Sequence, residues 1–208
     1  MISNGIALIP DQSCLRELVR LQQAVRAIEP LQPILGEAEY LPHITLLQGD
    51  SAQPLGSIDL LETLAATILT MQFQLSVTAV SYVRRGWYFL DVQPIQQLRL
   101  LHDMVFRACK DRLIPPSSFE ATALAGYTYS HVDNFMKFGY RYIGDDYRPH
   151  VTIGRTRDKH ISRNDVELQA ALSAAVETLR FSISTVTSYR MGVNGGHLET
   201  LASIPVSQ

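Results

Sequence analysis

The sequence predicts an α+β fold in duplicate, one order of strands and helices written twice. Three observations point there. Stretches of helical periodicity alternate with short strand-like runs along the whole chain. Two tetrads of the same kind, His43-Ile44-Thr45-Leu46 and His150-Val151-Thr152-Ile153, occupy equivalent places in its two halves. Residues around them recur at nearly the offset that separates the histidines: Leu60, Leu64, Ile68 and Phe73 have apolar counterparts at Leu168, Leu172, Val176 and Phe181, and Ser81-Tyr82 returns as Ser188-Tyr189.

The elements follow in order. Residues 5–9 are an apolar strand; Pro10 and Asp11 then open a helix with Leu15, Leu18, Val19, Val25 and Ile28 on one face. A proline-bearing loop, 29–42, leads to a strand at 43–47, and a helix from about Ser57 carries Leu60, Leu64 and Ile68. Residues 72–79 alternate polar and apolar, the mark of a half-buried strand. The order then repeats. A strand at 87–92 precedes a helix with Leu98, Leu101, Val105 and Ala108, a long loop, and a strand at 150–153. A helix capped by Asn164 and strands at 180–190 and 197–205 complete it. One domain of two lobes is expected, with a first repeat at about 1–84 and a second at about 85–208. Leu15 and Leu18 recur at a shorter offset, as Leu98 and Leu101, so the second copy holds an insertion, at about 113–148. Tyr127/Tyr129 and Phe138/Tyr140/Tyr142 alternate there and His131-Val132-Asp133-Asn134 reads as a turn, so the insertion is expected to be a β-hairpin.

Composition narrows the function. A net charge of -2, with 18 Lys+Arg against 20 Asp+Glu, argues against a sequence-independent binder of long nucleic acid, which needs a basic face. No apolar run approaches the roughly 20 residues that span a bilayer, and the N-terminus lacks signal-peptide features, so a cytoplasmic monomer is expected. Cys14 and Cys109 stand in helical segments, in no metal-ligand spacing, and read as buried thiols.

In a strand, residues i and i+2 share a face, so each tetrad sets an imidazole beside a hydroxyl while its aliphatic residues enter the core. Burying two histidines and two threonines on equivalent strands without function would be costly. Two histidines without a nearby carboxylate or thiolate also make a poor metal site. Hydrolysis by general acid–base catalysis needs a base to activate water and an acid for the departing oxygen. Imidazole can be either near neutrality. His43 and His150 are therefore the candidate catalytic pair, either of which could be the base. Thr45 and Thr152 are the candidate hydrogen-bond donors to the substrate beside them.

The duplicated tetrad resembles the 2H phosphoesterase superfamily, which includes 2′,3′-cyclic phosphodiesterases and 2′,5′-RNA-ligase-like proteins. The resemblance implies two pseudo-symmetric lobes of antiparallel sheet with helices outside, a central cleft lined by both tetrads, and no metal or cofactor. It also implies a substrate that is a small nucleotide or an RNA end with a cyclic or 2′,5′-type phosphodiester, most simply a 2′,3′-cyclic phosphate opened to a 2′-phosphate, with Thr45 and Thr152 donating to the phosphate oxygens. Arg155 matches the family's longer motif after His150 and is a candidate for phosphate, or else for a structural ion pair; strict alternation sets it one residue off the catalytic face. Gln48 holds that place in the first copy. Arg148, Arg157 and Lys159 add local positive charge. Tyr129 and Tyr140 are candidates to stack on a base or, alternatively, to pack the hairpin. His102, His160 and His197 read as structural or solvent-facing, and Tyr189 as packing. The rival reading is a nucleotide- or RNA-end-binding module without turnover.

Overall fold

The computed structural model describes residues 1–83, 86–118, 126–156 and 166–206. Phe119, Arg157, Lys159, His160 and the cap expected at Asn164 lie outside them. The element order is β1 (Ile2–Pro10), α1 (Gln12–Ile28), β2 (Leu31–Gln32), β3 (Ile44–Ser51), α2 (Ile58–Met71), β4 (Leu75–Val83), β5 (Trp87–Val92), α3 (Gln96–Cys109), β6 (Leu113–Ile114), α4 (Tyr129–Phe138), β7 (His150–Thr156), α5 (Val166–Thr178), β8 (Arg180–Phe181), β9 (Ile183–Met191) and β10 (His197–Pro205). The helix starts are set where the sequence offers a side-chain acceptor. Asp11 takes the Cys14 N–H at 3.0 Å and Ser57 the Leu60 N–H at 3.3 Å, each cap worth about 1 kcal/mol.

The strands run β10-β9-β1-β3-β7-β5-β4-β8, with β2 beside β7, β6 beside β3, and every pair antiparallel. The centre is thin: β3 meets β7 through one pair, Ile44 against Val151. Outward from it the two sides mirror each other. On one side lie β3, β1, β9 and β10, with α3 on β3 and α2 on β9 and β10; on the other lie β7, β5, β4 and β8, with α1 on β7 and α5 on β4. Each lobe therefore takes strands from the far half of the chain, β9 and β10 in one and β4 in the other. The sequence repeats and the spatial lobes are different divisions of the same chain. Ile44, Leu46, Val151 and Ile153 are fully buried in the core, each such side chain worth roughly 1.5–3 kcal/mol. That burial fixes which face of the central strands turns outward.

The insertion is not a hairpin. Residues 129–138 form helix α4, and the supposed turn at 131–134 is inside it. The Thr128 hydroxyl caps the His131 N–H at 3.2 Å, Lys137 reaches back to Asp133 at 2.7 Å, and Gly139, at φ 72°, ends the helix in the left-handed conformation. Alternation across so few residues is too short to outweigh those signals. Beyond Gly139 the chain forms no strand either: Tyr140, Tyr142 and Ile143 are all buried, and only Arg141 among them is half-buried.

Candidate active site

The single Ile44–Val151 pair positions the site. Both residues enter the core, so their neighbours face the other way. Continuing the antiparallel register by one residue sets His43 across from Thr152 and Thr45 across from His150. All four line one cavity of about 280 Å³ between the lobes.

Each imidazole is held by the same local device. His43 Nδ1 lies 2.7 Å from the Leu41 carbonyl and His150 Nδ1 lies 2.8 Å from the Arg148 carbonyl. A carbonyl can only accept, so both Nδ1 atoms carry the hydrogen and each Nε2 keeps its lone pair for the cavity. The intervening prolines, Pro42 and Pro149, have no N–H to compete and keep the preceding residue extended. In both copies the ring folds back on the residue before the proline.

The rings' neighbours differ. Phe89 stacks on His150 with centroids 4.0 Å apart and Tyr142 meets its edge at 5.5 Å, while His43 has Tyr189 tilted on it at 5.1 Å and His197 edge-on at 5.7 Å. Burial drives both histidines below the usual imidazole value, His150 to about 4, with Arg148 and Arg141 adding to that depression and Asp91 opposing it. Arg148 is already engaged by the Asp91 carboxylate, with Nε at 3.0 Å and Nη2 at 2.9 Å. The Tyr189 hydroxyl lies close to the Thr45 side chain and donates to Gln48 Oε1 at 3.3 Å.

Arg155 stands on the cleft-facing side of β7, behind Trp87 and Asn194 and outside the cavity lining itself, for a reason alternation cannot show. The β5–β7 register shifts between Tyr88 and Phe89, so Phe89 faces Thr152 but Trp87 faces Arg155. The bulge returns Arg155 to the face of His150 and Thr152. It needs Gly154, because a Cβ there would lie 2.9 Å from Leu31 Cβ. The Arg155 guanidinium sits 5.1 Å over the Trp87 ring and Nη1 donates to Asn194 Oδ1 at 3.3 Å. Tyr140 lines the cavity from a buried position. Tyr129 does not: at 89% exposure, on the first turn of α4, it stands in solvent away from the cavity lining.

Several lining residues escape a reading of the sequence. His197 is fully buried, with Nε2 2.9 Å from Thr200 Oγ1, its ring stacked on Tyr189 at 4.6 Å, and Nδ1 lacking a partner; burial, with His43 adding, holds it down to about 3. Arg141, also on the lining, does not stand out in the sequence at all; Tyr189, which backs His43 and His197 from outside the lining, stands out only as a repeated position. His102, by contrast, is structural as expected: buried, with Nδ1 donating to the Leu46 carbonyl at 2.7 Å and Nε2 accepting from the Gly144 N–H at 3.0 Å. Among the described residues no three of His, Cys, Asp and Glu converge as metal ligands, and no helix is long and apolar enough to cross a membrane.

Two tetrad strands meeting at the centre of a two-lobed antiparallel sheet define a 2H-type fold. The family model of the 2′-5′ RNA ligase superfamily matches residues 42–195, and the chain belongs to that superfamily, the 2H phosphoesterases. Solved structures share the whole fold at low identity. Escherichia coli LigT without ligand is 13% identical, with TM-score 0.52, over 100% of this chain and 98% of that one. LigT complexed with 3′-AMP is likewise 13% identical, with TM-score 0.52, over 100% of this chain and 99% of that one. A protein described as a phosphoesterase is 13% identical, with TM-score 0.51, over 100% of each chain. No curated protein matches the sequence.

Proposed function

We propose that this chain is a phosphodiesterase that opens the 2′,3′-cyclic phosphate of a small nucleotide or RNA end, using His43 and His150 as an acid–base pair and no metal. One observation carries the reading: two equivalent imidazoles, each locked through Nδ1, offer Nε2 to the same cavity beside a threonine. Family membership and the 3′-AMP bound by LigT support the substrate class.

A water attacks the phosphorus as one Nε2 takes its proton; the P–O bond to the 3′-oxygen breaks as the other Nε2 delivers a proton to that oxygen, leaving the 2′-phosphate. Thr45 and Thr152 hydroxyls, with Arg155 beyond them, donate to the non-bridging oxygens as charge gathers there. The surroundings favour His150 as the base, since positive guanidinium lies near it and discourages its protonation, whereas His43 faces the neutral rings of Tyr189 and His197. The substrate's own negative charge then helps His43 hold the proton it must give.

The test is incubation with each 2′,3′-cyclic nucleotide, with products identified by phosphorus NMR. A 2′-monophosphate is expected, formed in the presence of EDTA, with either His43→Ala or His150→Ala removing most turnover because the two act as a unit. Binding without turnover, or turnover that chelation stops and added divalent metal restores, would overturn the reading.

A further inference from the structure

Three arginines stand on the His150 side of the cleft, and two of them lie outside the cavity lining with partners of their own. Arg148 is paired with Asp91, and Arg155 lies over Trp87 and bonds Asn194. Arg141 is different. It lines the cavity, half-buried, with its guanidinium carbon 4.5 Å from the Tyr127 ring centre and 4.4 Å from that of Tyr142. Nη2 donates to the Tyr142 hydroxyl at 2.5 Å, and among the described residues no carboxylate pairs with it. The two tyrosines hold the guanidinium plane in place, which removes most of the entropy an arginine loses on binding. A half-buried charge without a counter-charge is expensive, and an anion entering the cleft would relieve it.

Position says which anion. The Tyr142 ring touches both groups, with its centre 4.4 Å from the Arg141 guanidinium carbon and 5.5 Å from the centre of the His150 ring. A phosphate lodged between the two histidines is thus one aromatic ring away from the guanidinium, while a further phosphate on the same nucleotide can reach it. Resting on the proposed function, we infer that Arg141 is a specificity residue that binds a second phosphate, on the 5′ side of the reacting nucleotide, and so favours substrates with two phosphates over those with one. The 5′ phosphate can be a terminal monoester or the diester to a preceding nucleotide.

The experiment is calorimetric binding of three unreactive product-like ligands: adenosine 2′-monophosphate, adenosine 2′,5′-bisphosphate and an adenosine dinucleotide ending in a 2′-phosphate. The wild type should bind one or both of the two-phosphate ligands roughly 10-fold or more tightly than the monophosphate, as a charge-assisted pair supplies. Which of the two gains tells the terminal phosphate from the internucleotide one. Arg141→Gln should erase the preference while leaving the monophosphate affinity within about threefold. Should that variant fail to fold, Arg141→Lys keeps the charge without the planar fork and should show a reduced preference that raised salt removes. Absence of any preference in the wild type, equal weakening of all three ligands, or a preference untouched in the variant each overturns the inference. Binding needs no turnover, so intact preference alongside absent hydrolysis would sink the proposed function and leave this assignment standing.

Discussion

Replacing Gly5 by alanine tests whether the packing around His43 is as tight as its contacts imply. Gly5 on β1 faces Tyr189 on β9, and the tyrosine ring lies across the space a side chain would fill. A Cβ at position 5 would stand 2.7 Å from Tyr189 Cε1 and 2.8 Å from both Cζ and the hydroxyl oxygen. The ring would have to retreat by about 0.7 Å to regain the 3.4 Å of ordinary contact. It has little room, being fully buried, stacked on His197 at 4.6 Å and tilted against His43 at 5.1 Å. Overpacking of this kind costs about 1–3 kcal/mol, of which alanine returns about 0.4–1 kcal/mol by stiffening the unfolded chain. A net loss of about 1–2 kcal/mol is expected, lowering Tm by roughly 2–8 °C for a chain of this size. Turnover of a 2′,3′-cyclic nucleotide should fall about 10-fold or more, because Tyr189 carries the displacement to His43 and to the Thr45 hydroxyl. Thermal unfolding and kcat are the measurements, and adding Tyr189→Leu should recover part of the stability. A Gly5→Ala protein with unchanged Tm and unchanged kcat would refute the argument that this ring is wedged between β1 and His43.

Three further outcomes are expected. Because burial lowers His150 to about 4, the folded form binds fewer protons than the unfolded form between about pH 6.5 and 4, so this contribution is complete above that window and lost as pH falls through it. After allowance for partial exposure it amounts to about 2 kcal/mol, and urea unfolding at pH 7.5 and 4.5 should show His150→Gln losing that much less than the wild type. Thr45→Val and Thr152→Val should each lower kcat about 10²-fold with little change in KM, and serine at either place should restore most of it. Gly154→Ala should lower Tm, since its Cβ would press on Leu31 at 2.9 Å, and should weaken substrate binding by moving Arg155 off the cleft face, both readable from one melt and one KM measurement.

The tetrads are legible because everything that sets them is local. His, Thr and their aliphatic neighbours follow strand alternation, and the proline before each histidine is visible in the sequence. Capping residues mark the helix starts at Asp11 and Ser57 for the same reason. Arg155 looks one residue off the catalytic face because its placement depends on a bulge negotiated with β5, a strand far earlier in the chain. His197 and Tyr189 look like bystanders because β9 crosses to lie beside β1, and no local pattern announces a strand exchanged between lobes. Helix α4 is a different kind of miss. Its cap at Thr128 and its stop at Gly139 are readable in the sequence, and a brief aromatic alternation carries less weight than they do.

That exchange of strands also bears on how two identical motifs can act differently. An acid–base pair works only if one member holds a proton when the other does not, so two histidines in equal surroundings would be poorly matched to the task. The tetrads alone would give equal surroundings: the same proline, the same backbone acceptor for Nδ1, the same threonine two residues on. The difference comes from the outer neighbours. On the His150 side β5 contributes Phe89 and the segment after α4 contributes Tyr142 and Arg141; on the His43 side the strands from the chain's last segment contribute Tyr189 and His197. His197 adds no competing charge, because burial keeps it neutral well below physiological pH and Thr200 engages its Nε2. The symmetry brings two equivalent imidazoles to one cavity. In the proposed reaction their unlike surroundings divide the proton transfers between them, and a swap of roles would require guanidinium charge to move across the cleft.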